Sequence, residues 1–154
     1  MSKALSDIGS LYISGNADTQ AVGATALTVD DWDGGLSSTD NASIVADATT
    51  GYDITVKDAG VYKVSYVIDG EVNAAADGVT LDVRYSNDDW STNTSVDGTE
   101  ASWVSLTGQL DFNLSGQGLV EVQPNTAFRL YHVEYSAAAT ATFRDGTFVV
   151  ERVA

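Results

Sequence analysis

Side chains alternate from one side of a strand to the other, and several stretches of this chain keep that alternation. In the stretch 58–68, Tyr62, Val64, Tyr66 and Ile68 fall on one side, with Val61, Lys63, Ser65 and Val67 on the other. The first side is wholly apolar and the second is mixed. That pattern predicts a central strand with its apolar side on the core and its mixed side solvated or covered by another subunit.

Further strands follow the same rule. Leu11-Tyr12-Ile13 reads as a short strand ended by Ser14-Gly15-Asn16, and Ala24 to Val29 as a second. Tyr52 to Val56 alternates and is followed by a Lys57-Asp58-Ala59-Gly60 turn, so local reading makes it a hairpin with the stretch after it. Val79, Leu81, Val83 and Tyr85 oppose Asp82 and Arg84. Trp103 to Leu114 alternates as one long strand, which Gly108 bends or bulges. Ser115-Gly116-Gln117-Gly118 then has the composition of a turn before Leu119 to Val122.

Phe128, Leu130 and His132 oppose Arg129, Tyr131, Val133 and Tyr135. Phe143 to Val150 closes the pattern, and its Asp145-Gly146 marks either a tight hairpin turn or a bulge in one long strand. The longest irregular segment is Asp30 to Asp47, which Trp32 is expected to fold back onto the body. Roughly eight to ten strands and no helix result. The fold class expected is all-β, an antiparallel sandwich or barrel.

Composition sharpens this reading. A chain of 154 residues is the size of one domain and removes roughly 70 % of its unfolded surface from water. It contains no cysteine, so no disulfide or thiolate metal site holds it together. The N-terminus has no signal-length apolar run and no stretch is long enough for a transmembrane helix, so export and membrane insertion are not expected. The net charge of −15 repels phosphate backbones and anionic lipid, which disfavours nucleic-acid and membrane-surface partners. Seventeen of the 22 acids are Asp, a residue of turns, while Lys63, Arg84, Arg129 and Arg144 fall inside apolar alternations and belong to sheet walls.

Little of this points to catalysis. The lone His132 sits in a strand beside Leu130 and reads as a packing residue, because acid–base work needs a partner that the sequence does not place. There is no Gly-x-Ser-x-Gly elbow. Asp31-x-Asp33-Gly34 has part of the spacing of a calcium loop but lacks the remaining ligands, and Asp88-Asp89 is similar; both read as solvated acidic loops. Sequons at Asn41, Asn93 and Asn113 read as coincidental without an export signal. Trp32 and Trp90 are the candidates for exposed-loop binding, as stacking platforms for a sugar.

Two stretches carry a resemblance to a known family. Tyr52 to Tyr66 resembles the aromatic-(x)7-Gly-x-Tyr-(x)3-Tyr signature of the globular heads of the C1q and tumour-necrosis-factor families. Ser115 to Leu130 resembles the segment of those heads in which a short strand, a tight turn and a return strand follow one another, with Pro124-Asn125 where the families usually carry Gly-Asp. Phe143 to Val150 is similar to their closing strand. The resemblance implies a ten-stranded jelly roll with the strands flanking Lys57 to Gly60 in opposite sheets, against the local hairpin reading, and the jelly roll is the topology expected here.

It also implies a homotrimer with one sheet of each subunit facing the axis. Lys63, Ser65, Arg129, Tyr131, Val133 and Tyr135 are the candidate interface residues. Heads of this type occur as capsid decoration (cement) proteins of tailed bacteriophages, and the chain is nearly all head. The function expected is therefore a structural, non-enzymatic virion protein without cofactor or metal. It would sit on the outer capsid surface at threefold positions, with the major capsid protein as partner. Residues 1–10 would form an N-terminal arm, with Ser2, Lys3, Leu5 and Ile8 as candidate shell contacts, and 11–154 a single jelly-roll domain. The alternative is a receptor- or carbohydrate-binding head of a phage tail fibre or bacterial surface protein.

Overall fold

The computed structural model describes residues 7–22, 27–38, 43–73, 78–105, 109–133 and 139–154, with the side chains of 21, 22, 133 and 139 left aside. Its strands are β1 (Ile8–Ile13), β2 (Gln20–Val22), β3 (Leu27–Thr28), β4 (Gly34–Leu36), β5 (Ile44–Asp47), β6 (Asp53–Val56), β7 (Gly60–Val72), β8 (Gly78–Ser86), β9 (Thr94–Ser95), β10 (Ala101–Val104), β11 (Asp111–Val122), β12 (Thr126–Val133) and β13 (Ala139–Arg152). They form two antiparallel sheets. The first runs β11-β7-β13-β1-β4 with β2 on β13, and the second runs β10-β8-β12-β6-β5 with β3 on β12 and β9 on β8. This is a jelly-roll sandwich.

Parity along the strands builds the core. Tyr62, Val64, Tyr66 and Ile68 are buried from β7, Phe148 and Val150 from β13, and Leu11 and Ile13 from β1. Val79, Leu81 and Val83 of β8, with Phe128, Leu130 and His132 of β12, meet them from the other sheet. Fully burying each such apolar side chain stabilises the fold by about 1.5–3 kcal/mol. Tyr66 spans the layers: its hydroxyl donates to the Thr99 carbonyl at 2.7 Å and the Leu81 carbonyl at 3.3 Å. The Thr99 hydroxyl in turn donates to the Val96 carbonyl and accepts from the Val83 amide.

β6 and β7 lie in opposite sheets, the first on β12 and β5, the second between β11 and β13. The local hairpin reading is therefore wrong and the jelly-roll crossing is right. β6 instead makes its hairpin with β5, through a loop gathered by Asp47. The Asp47 carboxylate accepts the Thr49, Thr50 and Gly51 amides and both threonine hydroxyls. The Thr50 hydroxyl, then the Thr49 amide, hold this carboxyl far below its ordinary range. At Asp145-Gly146 the register shifts between Phe143 and Asp145 within one continuous β13, so the bulge is the alternative realised.

Three expectations are corrected. Trp103 to Leu114 is not one strand, because β10 belongs to the second sheet and β11 to the first. Ser115 to Gly118 is no turn but the middle of β11, paired with Val67 to Val64. Its glycines are there for close approach: a Cβ at Gly116 would run into the Thr99 carbonyl oxygen, and one at Gly118 into that of Asp97. Thirdly, the sheet begins at Ile8, which pairs with Glu151, so Ile8 to Ser10 are strand and not arm. Ser2, Lys3 and Leu5 lie outside the described residues, and of the strand expected at Ala24 to Val29 only Leu27–Thr28 is described as strand.

Asp7 and the last residues of the chain meet at one end of the sandwich. The Arg152 amide donates to the Asp7 carbonyl at 3.0 Å, and Ala154 exchanges hydrogen bonds with Val61.

Candidate functional site

The candidate interface residues do not share a surface. Lys63 and Ser65 project from β7 on the outer side of the first sheet, while Arg129 and Tyr131 project from β12 on the outer side of the second. Val133 closes β12, and Tyr135 lies outside the described residues. Alternation identifies which residues face outward, but two stacked sheets have two outward sides, and parity alone does not distinguish them.

On the second sheet the outward side chains form a ladder of rings and cations. The Arg129 guanidinium lies 4.2 Å from the Trp90 ring centroid and that of Arg84 5.0 Å from Tyr131, while the Trp90 and Tyr131 rings are 5.9 Å apart. Such stacking contributes about 0.5–2 kcal/mol per contact. Arg84 Nε donates to both Asp82 oxygens, at 3.1 and 3.2 Å, and Ser95 Oγ donates to Asp82 Oδ2 at 2.6 Å. Arg129, by contrast, comes no nearer than 3.7 Å to Asp53 Oδ2, and its Nε is buried without a partner among the described residues. Burial pushes the Asp53 carboxyl up, with Arg129 opposing. Trp90 is thus half-buried under a guanidinium rather than free. Trp32 is buried in the core at 6 %, its Nε1 donating to the Val29 carbonyl at 2.9 Å and its ring near Phe148. It anchors its loop, and as an exposed platform it is excluded.

The first sheet differs in kind. Following the register across it, Ser115, Val67, Thr147, Tyr12 and Gly34 form one row, and Gln117, Ser65, Val149, Ser10 and Leu36 the next. Neither row contains a charge, in a chain carrying −15. Charge returns at the margins: Lys63 and Glu151, flanked by Leu119 and Ile8, on one side, and Asp69 and Asp145 on the other. Tyr12, Leu36, Val67 and Leu119 are 42 %, 68 %, 52 % and 63 % exposed. The belt holds a depression of about 400 Å³ between Tyr12, Val67, Asn113 and Thr147. Sequence reasoning misses this face because its residues come from separate strands, β11, β7, β13, β1 and β4. The outward Val67 is its only local sign.

His132 is 1 % exposed. Gln20 Nε2 lies 2.6 Å from its Nε2 and also donates to the Thr28 carbonyl at 3.3 Å, while Nδ1 has no partner among the described residues. Burial lowers its pKa to about 4. Its ring packs on Phe143, with centroids 5.4 Å apart, and it takes the packing role expected.

The acidic loops are used locally. Asp33 accepts the Ser14 amide at 2.6 Å, and Asp88 accepts the Ser86 hydroxyl together with the Thr92 hydroxyl and amide. Burial and then the neighbouring Asp30 and Asp18 raise the Asp31 carboxyl. Among the described residues no group of three or more His, Cys, Asp or Glu is placed to hold a metal.

No protein-family model matches the chain, and no curated protein matches it. The fold does match solved structures. Eiger TNF from S. frugiperda is 13 % identical with a TM-score of 0.63, covering 94 % of this chain and 92 % of that one. Murine APRIL at pH 5.0 is 10 % identical with a TM-score of 0.62, and at pH 8.5 it is 9 % identical with a TM-score of 0.58, each covering 94 % of this chain and 98 % of the other. Identities this low establish the fold alone, a jelly roll of the tumour-necrosis-factor type.

Proposed function

We propose that the chain is a structural protein that assembles as a homotrimer through the outer face of the first sheet and decorates the outside of a tailed-phage capsid at threefold positions. The observation that carries the assembly is the uncharged belt of Tyr12, Ser65, Val67 and Val149, bordered by Leu36 and Leu119. An exposed apolar strip free of charge on so acidic a protein marks a contact surface. The second sheet supplies no equivalent among the described residues, since its cations already stack on its own rings. Lys63 and Ser65 thus stay in the proposed interface, while Arg129 and Tyr131 leave it.

Val67→Glu tests the face. It adds an exposed charge at the centre of the belt without touching the core, so the expected outcome is a folded monomer by light scattering with an unchanged far-UV spectrum. A Val67→Glu chain that stays oligomeric rejects the face.

Shell binding is assigned to the residues before Asp7. In the trimer three such segments would leave the same end of the assembly, and three tethered contacts bind far more tightly than one. Deleting residues 2–6 is expected to abolish co-sedimentation with expanded empty capsids and leave the trimer intact. Retained binding would refute the assignment. A head that binds a host receptor through Trp32 and Trp90 loses support, one ring being in the core and the other capped. Saturable adsorption of the protein to host cells, with no binding to shells, would favour that reading instead.

A further inference from the structure

Arg129 lacks what a mostly buried guanidinium normally has. Its side chain is 21 % exposed, yet among the described residues it finds no close acceptor. Its one ion pair is long, at 3.7 Å, and its Nε is buried and unpartnered. Both Arg129 and its cross-strand neighbour Arg84 on β8 stack on a ring, but only Arg84 also hydrogen-bonds a carboxylate. Buried donors are nearly always satisfied; the Nε is closed off from solvent, but the terminal N–H groups are not and form no hydrogen bond among the described residues, so they can donate to an acceptor that the described chain does not supply.

Arg129 forms one wall of an open cleft of about 430 Å³, completed by Tyr52, Leu27, Thr28, Thr50 and Asp30. The volume suits a small molecule. Leu27 is 41 % exposed and with the half-buried Tyr52 ring gives the cleft apolar surface. The exposed Asp30 also lines the cleft, its amide donating to Gln20 Oε1 at 3.3 Å. Tyr52 is held at φ 53°, a conformation uncommon for a large side chain, at the end of the loop that Asp47 gathers.

We propose that this cleft binds a neutral saccharide of one or two rings, its hydroxyls taken by Arg129 and Asp30 and its C–H face laid on Tyr52 and Leu27. The charge around the site selects against an anion. Asp53 already matches Arg129, and Asp30, Asp47 and Asp89 add negative charge nearby. A neutral ligand with both donors and acceptors uses the guanidinium and the carboxylate together. The proposal stands whether or not the protein decorates a shell, because the cleft lies on the second sheet, away from the belt.

The test is saturation-transfer NMR on the full chain with the methyl glycosides of glucose, galactose, mannose and N-acetylglucosamine at about 20 mM, a concentration that reveals millimolar binding. N-acetylneuraminic acid is run in parallel. At least one neutral glycoside is expected to bind saturably, and Arg129→Met, which removes charge-assisted hydrogen bonds, to weaken it about tenfold or more. Leu27→Glu, at an exposed position outside the core, is expected to weaken it similarly, and it decides the matter if Arg129→Met does not fold. The proposal is overturned if no neutral glycoside binds, if the acidic sugar binds more tightly, or if binding persists in the folded variants.

Discussion

His132 shows how one buried side chain sets a pH dependence. Its ring takes a proton only near pH 4 in the folded chain, whereas in the unfolded chain it does so near 6.5. Between those values the unfolded state gains a proton that the folded state does not, so stability falls as the pH drops. The loss reaches about 3 kcal/mol at pH 4 and is nearly absent above about pH 7. His132→Leu keeps the volume and removes the titration. Urea unfolding at pH 7 and pH 4.5 is expected to show a smaller difference in midpoint for His132→Leu than for the parent chain, and an unchanged difference would assign the acid sensitivity elsewhere. Gly116 makes a second residue-scale case. A methyl there meets the Thr99 carbonyl oxygen beside the Tyr66 hydroxyl that binds it. Gly116→Ala is expected to cost about 1–3 kcal/mol, read as a lower denaturation midpoint at constant slope.

At the scale of elements, β7 is legible in the order of its residues alone. Tyr62, Val64, Tyr66 and Ile68 are buried as alternation requires, because the two faces of that strand have distinct chemistry. The same holds for Phe128, Leu130 and His132 in β12. β11 is not legible past Leu114. Its Ser115-Gly116-Gln117-Gly118 has the composition of a turn, and what makes it strand is tertiary: the backbone of Asp97 and Thr99 lies against the missing side chains. Sheet membership is equally hidden. β6 and β7 are separated by only Lys57, Asp58 and Ala59 and each alternates, so only the resemblance to a jelly roll sets them apart. The candidate interface suffers from the same ambiguity, since Lys63 and Tyr131 each face outward but from opposite layers. The cleft at Arg129 leaves no sequence signal, because its walls come from residues as far apart as Leu27 and Arg129.

For the whole molecule the dominant quantity is charge. In the proposed homotrimer three copies of a chain at −15 would carry −45, and the uncharged belt would have to hold them together against that repulsion. Screening shortens its reach from about 30 Å at 0.01 M salt to about 3 Å at 1 M, while apolar contact is not weakened by it. The trimer is therefore expected to tighten with salt. Light scattering at fixed protein concentration should show a larger trimer fraction in molar salt than in dilute buffer, and an equal fraction in both would contradict the balance described.

The closeness of Asp7 to the backbone beside Ala154 bears on how the protein could be used. If the leading residues bind a shell as proposed, a peptide tag spliced after Ala154 would crowd that contact, whereas cargo inserted between Val72 and Gly78 would be attached at the opposite end of β7 from Gly60. Tolerance of a graft there, with particle attachment preserved, would make this polypeptide a one-sided display platform.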